Sequence, residues 1–137
     1  MRGGIRFPII AKESYIFSSL TAGNSQTIVL AKTVNCEAYR EATLMTRLHF
    51  VSIAQASASL VIKARTTHPS VEDPFNDYVG PDVATSTITN SLGAGAIIRS
   101  PLSSNFGSFL RIYMIANQGT PTGVFSVTIS VLLSLKE

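Results

Sequence analysis

Alternation of apolar and polar residues with a period of two marks out four segments of the chain from residue 43 onward. In TLMTRLHFVSI (43–53), Leu44, Leu48 and Phe50 fall on one face, and Met45, Arg47, His49 and Val51 on the other. In SLVIKART (59–66), Leu60, Ile62 and Ala64 oppose Val61, Lys63 and Arg65. In FLRIYMIA (109–116), Leu110, Ile112 and Met114 oppose Arg111, Tyr113 and Ile115. The C-terminal run GVFSVTISVLLSLKE is the clearest: Phe125, Val127, Ile129, Val131, Leu133 and Leu135 face one way, against Ser126, Thr128, Ser130 and Ser134, with Leu132 the exception. Period two over such lengths predicts half-buried strands, and the β-branched residues reinforce it. As a helix, the same run would scatter its apolar side chains around every side.

The first forty residues carry weaker signals, and turns separate the later segments. SYIFSSL (14–20) and QTIVLAK (26–32) read as strands separated by TAGNS, which holds residues tolerant of positive φ. NSLGAG (90–95), SPLSSNFGS (100–108) and NQGTPTG (117–123) read as turns, and CEAYREATLM is the one stretch that could pass for a helical turn. About eight short strands without alternating helices predict an all-β, single-domain antiparallel β-sandwich of jelly-roll type. Residues 1–12 carry Arg2, Arg6 and Lys12 with no acid, two glycines and Pro8. They read as an extended basic arm ahead of a sandwich domain over 13–137.

Composition sharpens this picture. At 137 residues the chain is long enough for its own core. Its charged fraction, 14%, lies well below the ~25% usual for soluble domains, so much of the surface is suited to lying against other protein. A net charge of +3 is too modest for an obligate nucleic-acid binder, and nucleic acid is not expected as a specific ligand. One cysteine, Cys36, excludes an intramolecular disulfide and reads as a small buried apolar residue. No apolar run reaches the ~18 residues of a membrane helix, and no membrane partner is expected. MRGGIRFPIIAKE lacks the apolar stretch and cleavage site of a signal peptide, so export is not expected.

Candidate chemistry concentrates in THPSVEDPFNDYVGPD (67–82), which holds Glu72, Asp73, Asp77 and Asp82, half of the chain's eight acids. Glu72, Asp73, Asn76 and Asp77 could supply oxygens to a calcium ion, but their spacing does not match an EF-hand, and Pro69 and Pro74 restrict wrapping. The simpler reading is a solvated loop pinned to the sandwich by Phe75 and Tyr78. His68 lacks the partners a zinc site needs. No nucleophile elbow, P-loop or H-E-x-x-H occurs, GAGAIIRS lacks the third glycine of a dinucleotide fingerprint, and no catalytic residue or cofactor is expected. Arg47, Lys63, Arg65 and Arg111, with His49, fall on the polar faces of their strands and would form one positive stripe if those strands were neighbours. A sugar-binding module is the alternative, with Tyr78 and Tyr113 as stacking candidates.

The basic N-terminal segment, the run SLVIKART…HPSVEDPFNDYV and the closing FLRIYMIANQGTPTGVFSVTISVLLSLKE together resemble small virion-associated β-sandwich proteins of tailed bacteriophages and related capsid systems. The resemblance spans about residues 44–135 and rests on strand periodicity and composition. It implies a non-enzymatic structural role as coat, head decoration or tail accessory protein, located in virions assembled in the host cytoplasm. The implied partners are further copies of the chain and other virion proteins. No binding residue carries over from the resemblance; the contact candidates come from the residues themselves, Arg2 and Arg6 from the arm and Glu72, Asp73, Phe75, Asp77 and Tyr78 from the acidic segment, whose acids would match the basic arm and sheet face of another subunit.

Overall fold

The computed structural model describes residues 4–17, 25–53, 58–68, 78–103, 106–117 and 125–137. They form eight strands: β1 (Gly4–Phe17), β2 (Ser25–Asn35), β3 (Glu41–Ser52), β4 (Ser59–His68), β5 (Tyr78–Ile88), β6 (Ile97–Pro101), β7 (Phe109–Asn117) and β8 (Phe125–Lys136). No helix occurs among the described residues, so none is long and apolar enough to cross a membrane. The expected helical turn at Cys36 is a single turn, closed by the Tyr39 N–H donating to the Cys36 carbonyl at 3.0 Å, and the chain enters β3 at Glu41.

The strands make two four-stranded antiparallel sheets, ordered β1-β8-β3-β6 and β2-β7-β4-β5. The ladders pair β1 with β8, β2 with β7, β3 with β6 and β4 with β5. The chain is therefore folded in half about the β4–β5 connection and rolled into a sandwich, while β3–β8 and β4–β7 ladders complete the sheets. That is jelly-roll connectivity.

The period-two faces become the core. Leu60, Ile62 and Ala64 of β4, Leu110, Ile112 and Met114 of β7, and Val127, Ile129, Val131, Leu133 and Leu135 of β8 are all buried, as their alternation predicts. β8, β3, β7 and β4 are the inner strands of their sheets, each with one face on the core. On β3, Leu44 and Leu48 are buried, but Phe50, expected on the same face, is 51% exposed. The cause is a bulge: Leu48 pairs with Ile129 and Phe50 with Thr128, so His49 is an extra residue and the faces exchange beyond it. Thr46 occupies the inward row between Leu44 and Leu48, fully buried, and its hydroxyl has no partner. Such a group costs about 1–3 kcal/mol.

Residues 4–12, expected as an arm rather than a packed element, are extended but belong to β1 and lie along β8 from Gly4↔Lys136 to Ile10↔Val131. The expected boundary at residue 12 thus falls inside a strand. Ile9 and Ile10 pack against the core, while Gly4 to Pro8 remain exposed on this edge strand. Pro8, which has no N–H to donate, is tolerated because β1 is an edge. Register shifts follow at Pro8/Ile10 and at Ile10/Glu13. Within the second, Lys12 adopts a left-handed φ of 49°. At the other end of the sandwich wall, Gly107 has φ +90°, and a Cβ there would lie 2.8 Å from Thr66 Cγ2. Thr66 Oγ1 donates to the neighbouring Phe106 carbonyl at 2.7 Å, tying the β6–β7 connection to β4.

Candidate functional site

The two outer faces of the sandwich differ in how their cations are balanced. β4 and β7 are neighbours, so Lys63, Arg65 and Arg111 share one face, with Arg65 and Arg111 in register. Arg47 and His49 do not join them, because β3 pairs with β8 and β6 in the opposite sheet; the condition for a single positive stripe, that all these strands be neighbours, is not met. On the β2-β7-β4-β5 face, Asp82 of β5 receives Lys63 Nζ at 2.9 Å and also pairs with Arg65 Nε. Arg65 sits over the Tyr113 ring, 5.1 Å from its centroid, a cation–π contact that covers the ring proposed for sugar stacking. Arg111 Nε donates to the Lys32 carbonyl at 2.9 Å.

Burial works against the Asp82 carboxylate, but hydrogen bonds and charge from Lys63 and Arg65 outweigh it and hold its pKa below the usual carboxylate range. The hydrogen bond to Asp82 is likewise the main reason Arg65 is shifted up. A depressed folded-state pKa contributes stability above the unfolded value of ~3.9, and the contribution is lost as pH falls through the lower folded value. Asp82→Asn should therefore lower stability at neutral pH by about 1 kcal/mol, the scale of a partly exposed pair. Urea titrations of both proteins from neutral to acid pH should show the gap closing below about pH 4; a pH-independent gap would mean that the ion pair is not its source.

The β1-β8-β3-β6 outer face is built differently. Its central strand β8 presents Ser126, Thr128, Ser130, Leu132 and Ser134 outward, between buried neighbours. Two bulges flank Ser130: the shift at Ile10/Glu13 on β1 and the extra His49 on β3. Ser130 Oγ accepts from the Lys12 N–H at 2.9 Å and lies 2.8 Å from His49 Nε2, which fixes the imidazole over β8. Beside this group lies a cleft of about 330 Å³ lined by Arg6, Met45, Arg47, His49, Ile97, Ser130 and Leu132. Arg99 is in register with Met45 and so shares this face. Neither Arg6, Arg47 nor Arg99 forms an ion pair among the described residues. Ile97, 44% exposed, brings an apolar wall to a cationic cleft.

Of the contact candidates from sequence, Arg6 lines this cleft. Tyr78 opens β5, its backbone paired with His68. Arg2, Glu72, Asp73, Phe75 and Asp77 lie outside the described residues, as does the calcium set they include. Among the described residues no group of three or more His, Cys, Asp and Glu could hold a metal. Cys36 is buried, and burial pushes its thiol pKa up to about 11, which leaves it protonated at neutral pH. Ile97 and Arg99 were missed because β6 is only five residues long and its alternation, IIRSP, sits beside turn signals.

The sequence matches no protein-family model and no curated protein. Its fold does match solved structures. Over 100% of its length, the chain superposes on a structure of infectious bursal disease virus, Gx strain, with TM-score 0.56 and 12% identity, covering 32% of that chain. Over 98%, it superposes on a crystal structure of the infectious bursal disease virus VP2 subviral particle, with TM-score 0.55 and 12% identity, covering 33% of that chain. The protein thus spans about a third of these neighbours' length, and at such identity the likeness is one of fold.

Proposed function

We propose that the protein is a non-enzymatic viral structural protein, a single jelly-roll unit that works by assembling with copies of itself and other virion proteins into a particle. The observation that carries this reading is the jelly-roll connectivity of the whole chain, which superposes end to end on structures of a virus and of its subviral particle. A fold alone does not fix function, but two further features agree. The chain is poor in charge, and exposed apolar side chains such as Ile16, Val29 and Phe50 stand on the sheets. Its buried thiol offers no nucleophile.

Within that role, coat, head decoration and tail accessory positions all fit a compact unit, and location in a virion assembled in the host cytoplasm follows from the role. Tailed-phage parentage rests on the sequence pattern; the fold likeness reported above is to infectious bursal disease virus. Sedimentation velocity and negative-stain electron microscopy of the purified protein test the reading. Oligomers or closed shells are expected, or binding to purified particles of the parent virus. A strict monomer at every soluble concentration that ignores such particles would overturn it.

A further inference from the structure

We propose that the cleft on the outer face of the β1-β8-β3-β6 sheet is the docking surface for the acidic β4–β5 connection of a second copy of this chain. This rests on the self-assembly reading above and names the two surfaces that would meet. The cleft offers Arg6 and Arg47 on either side of Leu132, with Arg99 beside Met45, and none of the three arginines has a carboxylate partner among the described residues. On the opposite face, Lys63 and Arg65 share the single carboxylate of Asp82. Among the described residues, three arginines without an ion pair thus converge on or beside one apolar-floored cleft.

What the segment between His68 and Tyr78 offers is chemical. It holds Glu72, Asp73 and Asp77, three of the chain's eight acids, and no Lys, Arg or His. The remaining acids apart from Asp82 are single residues spread over the chain: Glu13, Glu37, Glu41 and Glu137. Phe75 stands among the three acids, so the segment could set carboxylates on the arginines and an aromatic ring on Met45, Ile97 and Leu132. Arginine, methionine and aromatic side chains are the groups that protein interfaces favour. Charge complementarity of this kind selects partners and register.

Within one chain, the segment 69–77 is tethered at both ends in the opposite sheet. It joins two strands of the other sheet and is closed at its base by the His68↔Tyr78 pair. Its nine residues, out and back, reach about 15 Å at most. The far face lies beyond the ~10 Å between sheets and one to two further strand spacings of ~4.8 Å. A nucleic acid would also be drawn to arginines, but the one ring in the cleft lining is the His49 imidazole, held by Ser130, and one such ring is not the run of aromatic side chains on which successive bases stack.

Opposite charge reversals test the contact: R6E/R47E in the cleft and E72K/D73K in the acidic segment. Far-ultraviolet circular dichroism and thermal melts establish that each is folded, and R6Q/R47Q provides a milder cleft variant if R6E/R47E is not. At low salt each reversal alone should weaken self-association by about tenfold or more, since facing charges become like charges. An equimolar mixture of R6E/R47E and E72K/D73K should restore it, because the reversed surfaces again complement one another. Wild-type-like assembly of both variants would overturn this contact while leaving the structural role standing. A wild-type protein that never associates would remove both. Weakening without rescue in the mixture points to a contact within one chain and overturns the proposal. So does binding of a single-stranded oligonucleotide that R6E/R47E abolishes while association persists.

Discussion

Leu133→Asp should leave no soluble, cooperatively melting protein. Leu133 is fully buried in β8, with Leu44 of β3 and Phe7 of β1 in register on either side. Removing its side chain from a packed core costs about 2–5 kcal/mol through lost transfer and cavity terms. No cation lies among the described buried residues to meet the carboxylate that replaces it, and burying an unpaired charge costs several kcal/mol more or forces protonation. Together these approach or exceed the ~5–15 kcal/mol that holds a domain folded. Leu132→Asp, one residue away, is the control. Leu132 is half-buried and points to the outer cleft between Arg6 and Arg47, so its substitution should give folded protein with a melting temperature within several degrees of wild type. Soluble, normally melting Leu133→Asp protein would mean that the faces of β8 are assigned the wrong way round.

The contrast between these neighbouring leucines shows how far the sequence could be read. β8, β7 and β4 are inner or well-paired strands with one face on the core, so burial imposes strict alternation, and their inward rows follow directly from it. Where a bulge intervenes the alternation changes phase, and nothing in TLMTRLHFVSI marks His49 as the extra residue. Phe50 was therefore placed inside on pattern and stands outside. β1 carries two register shifts in its first ten residues and leaves most of its side chains exposed, so it offers no period to find. Its extended, basic character was visible; its ladder with β8 was not.

The cleft was less legible than the core for a related reason. Arg6 stood out as a cation of the N-terminal arm and Arg47 as one on a polar strand face, but only the strand order β1-β8-β3-β6 puts them either side of Leu132, and brings Ile97 and Arg99 beside them. Strand order depends on long-range pairing, which local pattern does not encode. The same ordering separates Arg47 from Lys63 and Arg65. It also gives Asp82, one of the acids of the 67–82 stretch, a structural task within its own chain.

Removal of residues 1–12 should lower the melting temperature by roughly 10 °C or more and make the protein associate indiscriminately. The truncation strips the part of β1 that pairs with β8 from Lys136 back to Val131. It takes away the packing of Ile9 and Ile10 on the core and the Lys12 N–H donated to Ser130. Partial burial of two isoleucines and a handful of ladder hydrogen bonds sum to about 3–5 kcal/mol. In a domain of this size each kcal/mol moves the midpoint by roughly 2–6 °C. The loss also turns half of β8, an inner strand, into an unprotected edge whose N–H and C=O groups can pair with any other strand. Differential scanning calorimetry and light scattering of the truncated protein would show both effects, a lower midpoint and a scattering signal that grows with concentration. An unchanged melt and a monodisperse monomer would show that Gly4–Lys12 is an appendage, and that the sandwich begins only where β1 leaves its second bulge.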